Sequence, residues 1–153
     1  MSKHNNSPRK PHILIADDDS DDRQIIREAL NRNMPSCLYS YAEDGEEALD
    51  FLYHRGQFSH QNAPPVDLIL LDLNMPRKTG MEVLEIIKKE PSLKHIPVVV
   101  LTTSQEKDDV IRTYELGVNS FMIKPISYDS LLNAMKILGK YWFETVELPT
   151  QAT

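Results

Sequence analysis

The chain has 153 residues, of which 41% are hydrophobic and 26% are charged, and its formal net charge is −6. This length and balance predict one domain with its own core, and the acidic charge disfavours a nucleic-acid-binding surface. The single cysteine, Cys37, excludes an internal disulfide and a cysteine-cluster metal site. Because no apolar stretch reaches the length of a transmembrane helix, we expect a cytoplasmic protein with neither a nucleic-acid nor a membrane partner.

The first predicted strand follows a polar segment. Residues 1–11 lack the apolar core of a signal peptide, and we expect them to form a disordered arm. The apolar run His12–Ala16 predicts a buried strand, and it ends in the consecutive carboxylates Asp17, Asp18 and Asp19. These acidic side chains would lie at the rim of a sheet.

A helix and a second strand are predicted next. Ser20 can cap the helix, and Asp21 and Asp22 fall in its first turn, where the macrodipole favours anions. Apolar residues then recur at helical spacing. Residues Cys37–Ala42 predict the second strand.

The third predicted strand carries the most informative residue. Before it, Asp44 predicts the cap of a second helix and Gly56 predicts its end. The run Val66–Leu71 predicts a buried strand, which cannot continue far because Pro76 removes a backbone donor and fixes its φ. Asp72 is therefore a carboxylate at the carboxyl end of a strand, where ligands bind in open α/β sheets.

The remainder of the chain continues the alternation. Its predicted elements are a helix between Gly80 and Pro91, a strand Ile96–Leu101 that ends in Thr102, a helix at about Gln105–Leu116 closed by Gly117, a strand Asn119–Ile123 that ends in Lys124, and a helix capped by Ser127 that runs past Lys140. Five strands that alternate with five helices predict a doubly wound parallel α/β sheet, with all strand carboxyl ends at one edge. We assign residues 12–143 to this domain and 144–153 to a C-terminal tail.

Carboxylates at adjacent strand ends predict a metal site. Asp17, Asp18 and Asp72 would lie close together, and three like charges there are unstable unless one is protonated or a cation binds. Mg²⁺ takes one or two carboxylates and keeps waters and phosphate oxygens. The backbone carbonyl of Asn74 is well placed as a further ligand. We therefore predict Mg²⁺ as the cofactor.

A hydroxyl and an ammonium group at the same edge suit a phosphoryl group. Thr102 supplies the hydroxyl and Lys124 supplies the positive charge. Asp72 could then attack phosphorus and become an acyl phosphate. Taken singly, each residue has a simpler interpretation as a turn former, a helix cap or a strand stop. Because four strand ends all carry such polar groups at one edge of the sheet, a shared phosphoryl-binding site is the better interpretation.

Four segments, in this order, resemble the receiver domain of response regulators in two-component signalling. They are Ile15-Ala16-Asp17-Asp18, Leu71-Asp72-Leu73-Asn74-Met75-Pro76 with Gly80, Leu101-Thr102-Thr103-Ser104 and Ile123-Lys124-Pro125. The resemblance covers roughly His12 to Lys140 and implies a flavodoxin-like fold with strand order 2-1-3-4-5. The roles that it implies are Asp72 as phosphoacceptor, Asp17 with Asp18 as the acidic pair for Mg²⁺, Thr102 as switch hydroxyl, Lys124 as the lysine that contacts the phosphoryl group, and Phe121 as the aromatic switch residue.

A narrower resemblance concerns single-domain regulators that pair with phytochrome-type histidine kinases. It rests on Asp44–Leu52, the long loop after Gly56, Val98–Ser104, Tyr114–Gly117 and Tyr141-Trp142. It implies a light-sensing sensor histidine kinase as the phosphoryl donor. Because no output domain is predicted, the signal would leave through a downstream protein, dimerisation or phosphate relay. We expect no enzymatic activity beyond self-catalysed phosphoryl transfer and autodephosphorylation.

Two other functions remain open. A receiver-shaped interaction module would bind Mg²⁺ weakly and never turn over phosphate, although the complete acidic, threonine and lysine set argues against it. The pattern Asp17-x-Asp19 with a later threonine and lysine also resembles haloacid-dehalogenase-type phosphatases. Those enzymes need an acidic pair after a later strand, whereas only a lone carboxylate, Asp129, lies shortly after Lys124. The role of Asp72 would also be unexplained.

The last helix carries two apolar stripes. Leu131, Leu132, Met135, Leu138 and Trp142 form a stripe that faces the core, and Ala134, Ile137 and Tyr141 form a second stripe. A helix that is apolar on two faces suggests a partner surface, and the resemblance to receiver domains implies a homodimer through the face of the fourth helix, fifth strand and fifth helix. In the alternative, Phe143–Pro149 folds back over the second stripe.

Overall fold

Strands and helices alternate along the whole domain in the computed structural model, which describes residues 10–33, 36–60 and 62–149. The strands in these residues are β1 (His12–Ala16), β2 (Leu38–Ala42), β3 (Leu68–Leu71), β4 (Val98–Thr102) and β5 (Ser120–Ile123). The α-helices in the same residues are α1 (Ser20–Asn33), α2 (Gly45–Tyr53), α3 (Gly80–Lys89), α4 (Lys107–Glu115) and α5 (Tyr128–Lys140). A 3₁₀ turn, Gly56–Phe58, follows α2, and a π-helical turn, Tyr141–Thr145, follows α5.

The strands form a parallel sheet in the order β2-β1-β3-β4-β5, which confirms the predicted fold and strand order. β1, β3 and β4 are buried along their whole length, as expected for parallel strands with helices on both faces. β1 pairs with β2 from His12–Leu38 to Ala16–Ala42, and with β3 up to Ala16–Leu71. This register puts the residues that follow Ala16 and Leu71 side by side.

The core lies in two layers, one on each face of the sheet. Successive side chains of a strand point to opposite faces. Ile13 and Ile15 of β1 therefore pack with α1 and α5, whereas Leu14 and Ala16 pack with α2 and α3. The two layers hold the strand ends in a fixed register, which positions the polar groups that follow them.

The start of α1 differs from the sequence prediction. The helix begins at Ser20, and Asp19 caps it, because its Oδ1 accepts the backbone N–H groups of Asp21 and Asp22 at 2.9 and 3.3 Å. The predicted Ser20 cap was wrong by one residue, since the carboxylate in front of it already satisfies the N–H groups that a cap serves.

The two ends of α2 have different outcomes. The predicted cap Asp44 is confirmed, because its Oδ1 accepts the N–H of Glu47 at 2.8 Å. The predicted end at Gly56 is wrong. The helix ends at Tyr53, and His54 adopts the left-handed conformation, with φ 55°, that commonly terminates helices.

The chain termini lie partly outside the described residues. Residues 1–9 of the predicted arm are among those not described, and the carbonyl of Pro11 already accepts the N–H of Leu38 at 2.8 Å. Within the predicted tail, Leu148 is only 4% exposed, so this segment packs on the domain. No described helix is long and apolar enough to cross a membrane.

Two residues of the predicted second stripe are open to solvent, whereas the third, Ala134, is half-buried against the core. Ile137 and Tyr141 are 62% and 51% exposed, although Trp142 and Phe143 pack against the core layer below. Within the described residues, the segment after Phe143 therefore leaves these two side chains uncovered. The predicted homodimer stays a prediction.

Candidate functional site

Three strand ends place an oxygen-bearing side chain at the same edge of the sheet. Asp17 follows β1, Asp72 follows β3, and Thr102 is the last residue of β4. In each case a side-chain oxygen accepts the backbone N–H of the residue two positions later, at 2.9, 3.1 and 3.3 Å respectively. These bonds form the turns that lead the chain away from the sheet. The turn-forming interpretation is therefore confirmed for these three side chains, and their predicted roles in phosphoryl transfer stay predictions.

The predicted carboxylate cluster is present. Ligand oxygens of Asp17, Asp18 and Asp72 all lie within 4.8 Å of one another. Asp17 and Asp72 are buried, and Asp18 is exposed. Burial raises the pKa of Asp17, although the Lys124 ammonium and the Asp19 N–H oppose this shift. Oxygen ligands with one open side fit a hard divalent cation that keeps waters and phosphate oxygens.

The Lys124 ammonium forms ion pairs with three carboxylates. Its Nζ lies 2.5 Å from Asp17 Oδ2, 2.9 Å from Asp22 Oδ2 and 3.1 Å from Asp72 Oδ2, and its side chain is 9% exposed. Burial disfavours the charged lysine, but the hydrogen bonds and charges of these carboxylates outweigh it and raise the pKa of Lys124. The site therefore holds a fixed positive charge beside the Asp72 carboxylate.

The predicted switch residues lie on neighbouring strands. Thr102 is fully buried, and its Oγ1 accepts the Asn74 side-chain amide at 3.5 Å. Phe121 is half-buried against the core and sits beside Val100 in the β4–β5 register. Its backbone N–H donates to the Tyr114 hydroxyl of α4 at 3.2 Å. Thr102 therefore contacts the turn that carries Asp72, and Phe121 contacts α4.

Comparison with known proteins identifies the family. The profile of the response regulator receiver domain matches residues 13–136. The chain belongs to the response regulator receiver family. Response regulator Rcp1 of Synechocystis sp. (strain ATCC 27184 / PCC 6803 / Kazusa) is 42% identical over 149 residues, which cover 97% of this chain and 99% of Rcp1.

Solved structures of receivers are similar over nearly the whole chain. The phosphorylated cyanobacterial phytochrome response regulator RcpA has a TM-score of 0.86 and 39% identity, over 92% of this chain and 99% of RcpA. The Mn²⁺-bound form of Rcp1 has a TM-score of 0.85 and 42% identity, over 91% of this chain and 99% of that chain. Both the receiver resemblance and the narrower resemblance to phytochrome-associated regulators are confirmed.

The receiver site contains contacts that the sequence did not predict. Asp22 was interpreted only as an acid that favours the start of α1, but it forms an ion pair with Lys124. Arg23 donates from Nη1 to the backbone carbonyl of Asp17 at 2.6 Å, and so fixes the turn after β1. The available signal was a second carboxylate in the first turn of a helix that begins at the site.

A glycine fixes the turn that carries Asp72. A Cβ atom at Gly80 would lie 2.1 Å from the backbone oxygen of Asp72 and 2.7 Å from the Cα of Leu73. The Gly80 N–H also donates to the Leu73 carbonyl at 3.0 Å. The start of α3 is thus pressed against the Asp72 turn. The predicted ligand role of the Asn74 carbonyl stays a prediction, and the Asn74 N–H donates to Asp72.

Proposed function

We propose that this receiver is a phosphoacceptor that takes a phosphoryl group from a sensor histidine kinase onto Asp72, with Mg²⁺ as cofactor. The observation that carries the proposal is the position of Asp72. Its carboxylate is 5% exposed, lies beside the Lys124 ammonium, and shares a cluster with Asp17 and Asp18. A buried nucleophile that contacts a fixed cation and belongs to a group of oxygen ligands suits phosphoryl transfer.

The transfer exchanges one bond to phosphorus for another. An Asp72 oxygen attacks the phosphorus of a phosphohistidine, the P–O bond forms, and the P–N bond to the imidazole breaks. The imidazole leaves with the electron pair and takes a proton from solvent. Asp17, Asp18 and Asp72 would hold a divalent cation, which would neutralise negative charge during the transfer. Lys124 supplies a further positive charge, 3.1 Å from Asp72 Oδ2.

Phosphorylation replaces the single negative charge of the Asp72 carboxylate with an acyl phosphate that carries up to about two negative charges. Thr102 Oγ1 accepts hydrogen bonds from Asn74 and Ser104, so its hydroxyl hydrogen can be donated to a phosphoryl oxygen. Phe121 would then fill the space next to Thr102 and bias the face that contains β5. To invert a mostly inactive population, the phosphoryl group must favour the active state by roughly 5 kcal/mol.

A phytochrome-type kinase is the proposed donor. The similarity to Rcp1 and to the phytochrome response regulator RcpA supports this assignment. The protein would signal by contact with a downstream protein and by forming a homodimer, and its own chemistry would be limited to self-catalysed transfer and autodephosphorylation. Large apolar side chains exposed on α4, β5, α5 and the π-helical turn after α5 support the homodimer face: Ile111, Tyr114, Ile123, Ile137 and Tyr141.

Intact-protein mass after incubation with acetyl phosphate and Mg²⁺ tests the phosphoacceptor function. We expect one added phosphoryl group on the wild type, none when the cation is chelated, and none on Asp72→Asn. If the wild type fails with both acetyl phosphate and a beryllofluoride mimic, the protein is an interaction module without phosphate turnover.

Transfer from a purified kinase tests the partner. An autophosphorylated phytochrome-type kinase should lose its label to the wild type and keep it with Asp72→Asn. An unrelated histidine kinase is the matched control. Equal transfer rates from both kinases would contradict the proposed pairing and leave the phosphoacceptor function intact.

A further inference from the structure

Asp22 does not belong to the cluster of Asp17, Asp18 and Asp72, but its carboxylate contacts Lys124 of the site. It lies in the first turn of α1, and its Oδ2 is 2.9 Å from Nζ of Lys124, a residue 102 positions later. The Asp22 side chain is 32% exposed, whereas that of Lys124 is 9% exposed. An ammonium group has three hydrogens to donate, and Asp17, Asp22 and Asp72 are the acceptors for them here.

These carboxylates differ in what phosphoryl transfer does to them. Asp17 and Asp72 belong to the cluster that fits a divalent cation, and Asp72 becomes phosphorylated in the proposed reaction. Their oxygens therefore gain new partners when the reaction begins. Asp22 lies outside that cluster. Its contact with Lys124 can persist while the other two contacts weaken.

We propose that Asp22 is a positioning residue that holds the Lys124 ammonium where it meets the transferring phosphoryl group. Lysine is a point charge on a flexible four-carbon chain, so its position needs an anchor. The first turn of α1, which carries Asp22, is held in place because Asp19 caps the helix and Arg23 donates a hydrogen bond to the Asp17 carbonyl. This inference rests on the proposed phosphoryl transfer to Asp72.

The neighbouring Asp21 provides a matched control. Its side chain is exposed in the same turn of α1, so Asp21→Asn and Asp22→Asn remove the same charge from nearly the same place. A general effect of charge on an anionic donor would be similar in both variants. An effect through Lys124 would be confined to Asp22.

Phosphorylation rates as a function of acetyl phosphate concentration test the proposal. We expect Asp22→Asn to lower the maximal rate about tenfold, since small misplacements of a catalytic group are costly. The half-saturating donor concentration and the Mg²⁺ affinity should change no more than in Asp21→Asn. Asp22→Glu should recover part of the rate. Equal maximal rates in Asp22→Asn and Asp21→Asn, or a faster Asp22→Asn, would overturn the proposal.

A second measurement needs no phosphodonor. In urea unfolding, Asp22→Asn and Lys124→Met should have non-additive effects on stability, whereas Asp21→Asn and Lys124→Met should be additive. Failure of the wild type to accept phosphate would remove the proposed function and this inference with it. A phosphorylated wild type with additive Asp22 and Lys124 effects would overturn the positioning role alone.

Discussion

Asp72 combines two roles that one substitution can separate. Its Oδ1 forms the turn by accepting the Asn74 N–H, and its Oδ2 contacts Lys124. An asparagine at this position can still accept the N–H through its amide oxygen, but it is no nucleophile. Asp72→Asn is therefore a suitable negative control for phosphorylation, because it preserves the turn.

The thiol of Cys37 should be inert in the folded protein. The residue is buried, and burial raises the pKa of its thiol above 9.0. Since the thiolate is the nucleophile, we expect labelling by a disulfide reagent at pH 8 to be slow in buffer and fast in denaturant. The raised pKa also means that stability from the neutral thiol is lost as pH rises above 9.0. Rapid stoichiometric labelling of the native protein would contradict this description.

Gly80→Ala should damage both stability and the site. The added Cβ meets the Asp72 carbonyl at 2.1 Å, and backbone atoms cannot give way as a flexible side chain can. We expect destabilisation of about 1–3 kcal/mol, as for other overpacking changes. Phosphorylation by acetyl phosphate should also be slower. Urea unfolding and intact-mass kinetics measure the two effects, and unchanged values in both would contradict the tight contact.

At the scale of elements, α3 depends on a reciprocal cap. The Glu82 N–H donates to Thr79 Oγ1 at 3.2 Å, and the Thr79 N–H donates to Glu82 Oε1 at 3.1 Å. Thr79→Ala should cost about 1 kcal/mol of unfolding free energy. The exposed side of α3 offers Lys89→Ala as a control, which should cost less than 0.5 kcal/mol.

The same cap predicts a pH dependence. Hydrogen bonds from Thr79 lower the pKa of Glu82 below 4.5. A lowered pKa means that the stabilisation is present above pH 4.5 and is lost as pH falls through the lower folded value. The stability difference between wild type and Thr79→Ala should therefore shrink in acid. A difference in unfolding free energy between the two proteins that stays constant from pH 7 to pH 3 would contradict the proposed contribution of Glu82.

Helix ends show where sequence reasoning succeeds locally and where it fails. Asp44 and Ser127 cap α2 and α5 as predicted, because a capping side chain acts on N–H groups two or three residues away. Ser20 was the wrong cap since Asp19 competes for the same donors. The end of α2 was wrong since His54 adopts a backbone conformation usually taken by glycine.

At the scale of the molecule, the segment after α5 is part of the folded domain. Leu148 is 4% exposed, so Leu148→Ala should destabilise the protein by about 2–3 kcal/mol. Ile137→Ala is the control, because that side chain is 62% exposed and its loss should change stability by less than about 0.5 kcal/mol. Equal urea midpoints for the two variants would show that the segment contributes nothing to folding.

The exposed face of α4, β5 and α5 gives a prediction about assembly. Ile123 and Ile137 are 48% and 62% exposed, and Ile137→Glu would put a charge into any apolar interface there. We expect light scattering on a sizing column to give a dimer for the wild type with beryllofluoride and a monomer for Ile137→Glu. A dimer that survives this change would place the interface elsewhere.

The fold and the site were predictable to different depths. Apolar runs that end in polar groups predicted the sheet. They also predicted that Asp17, Asp72 and Lys124 lie at one edge, because the carboxyl ends of parallel strands lie at the same edge of a sheet. The Asp22–Lys124 pair was not predicted, because an acid in the first turn of α1 was already explained by the helix dipole. Whether Asp22 reaches Lys124 depends on how α1 packs against α5, which the local pattern does not fix.

Identification of the phosphorylated residue is the most direct test of phosphoryl transfer to Asp72. Borohydride converts an aspartyl phosphate to homoserine, which peptide mass spectrometry locates in the acetyl phosphate-treated wild type. We expect conversion at Asp72 alone. Conversion at Asp17 would contradict it and favour the chemistry of a haloacid-dehalogenase-type phosphatase, whose nucleophile would be the first aspartate of the Asp17-x-Asp19 pattern.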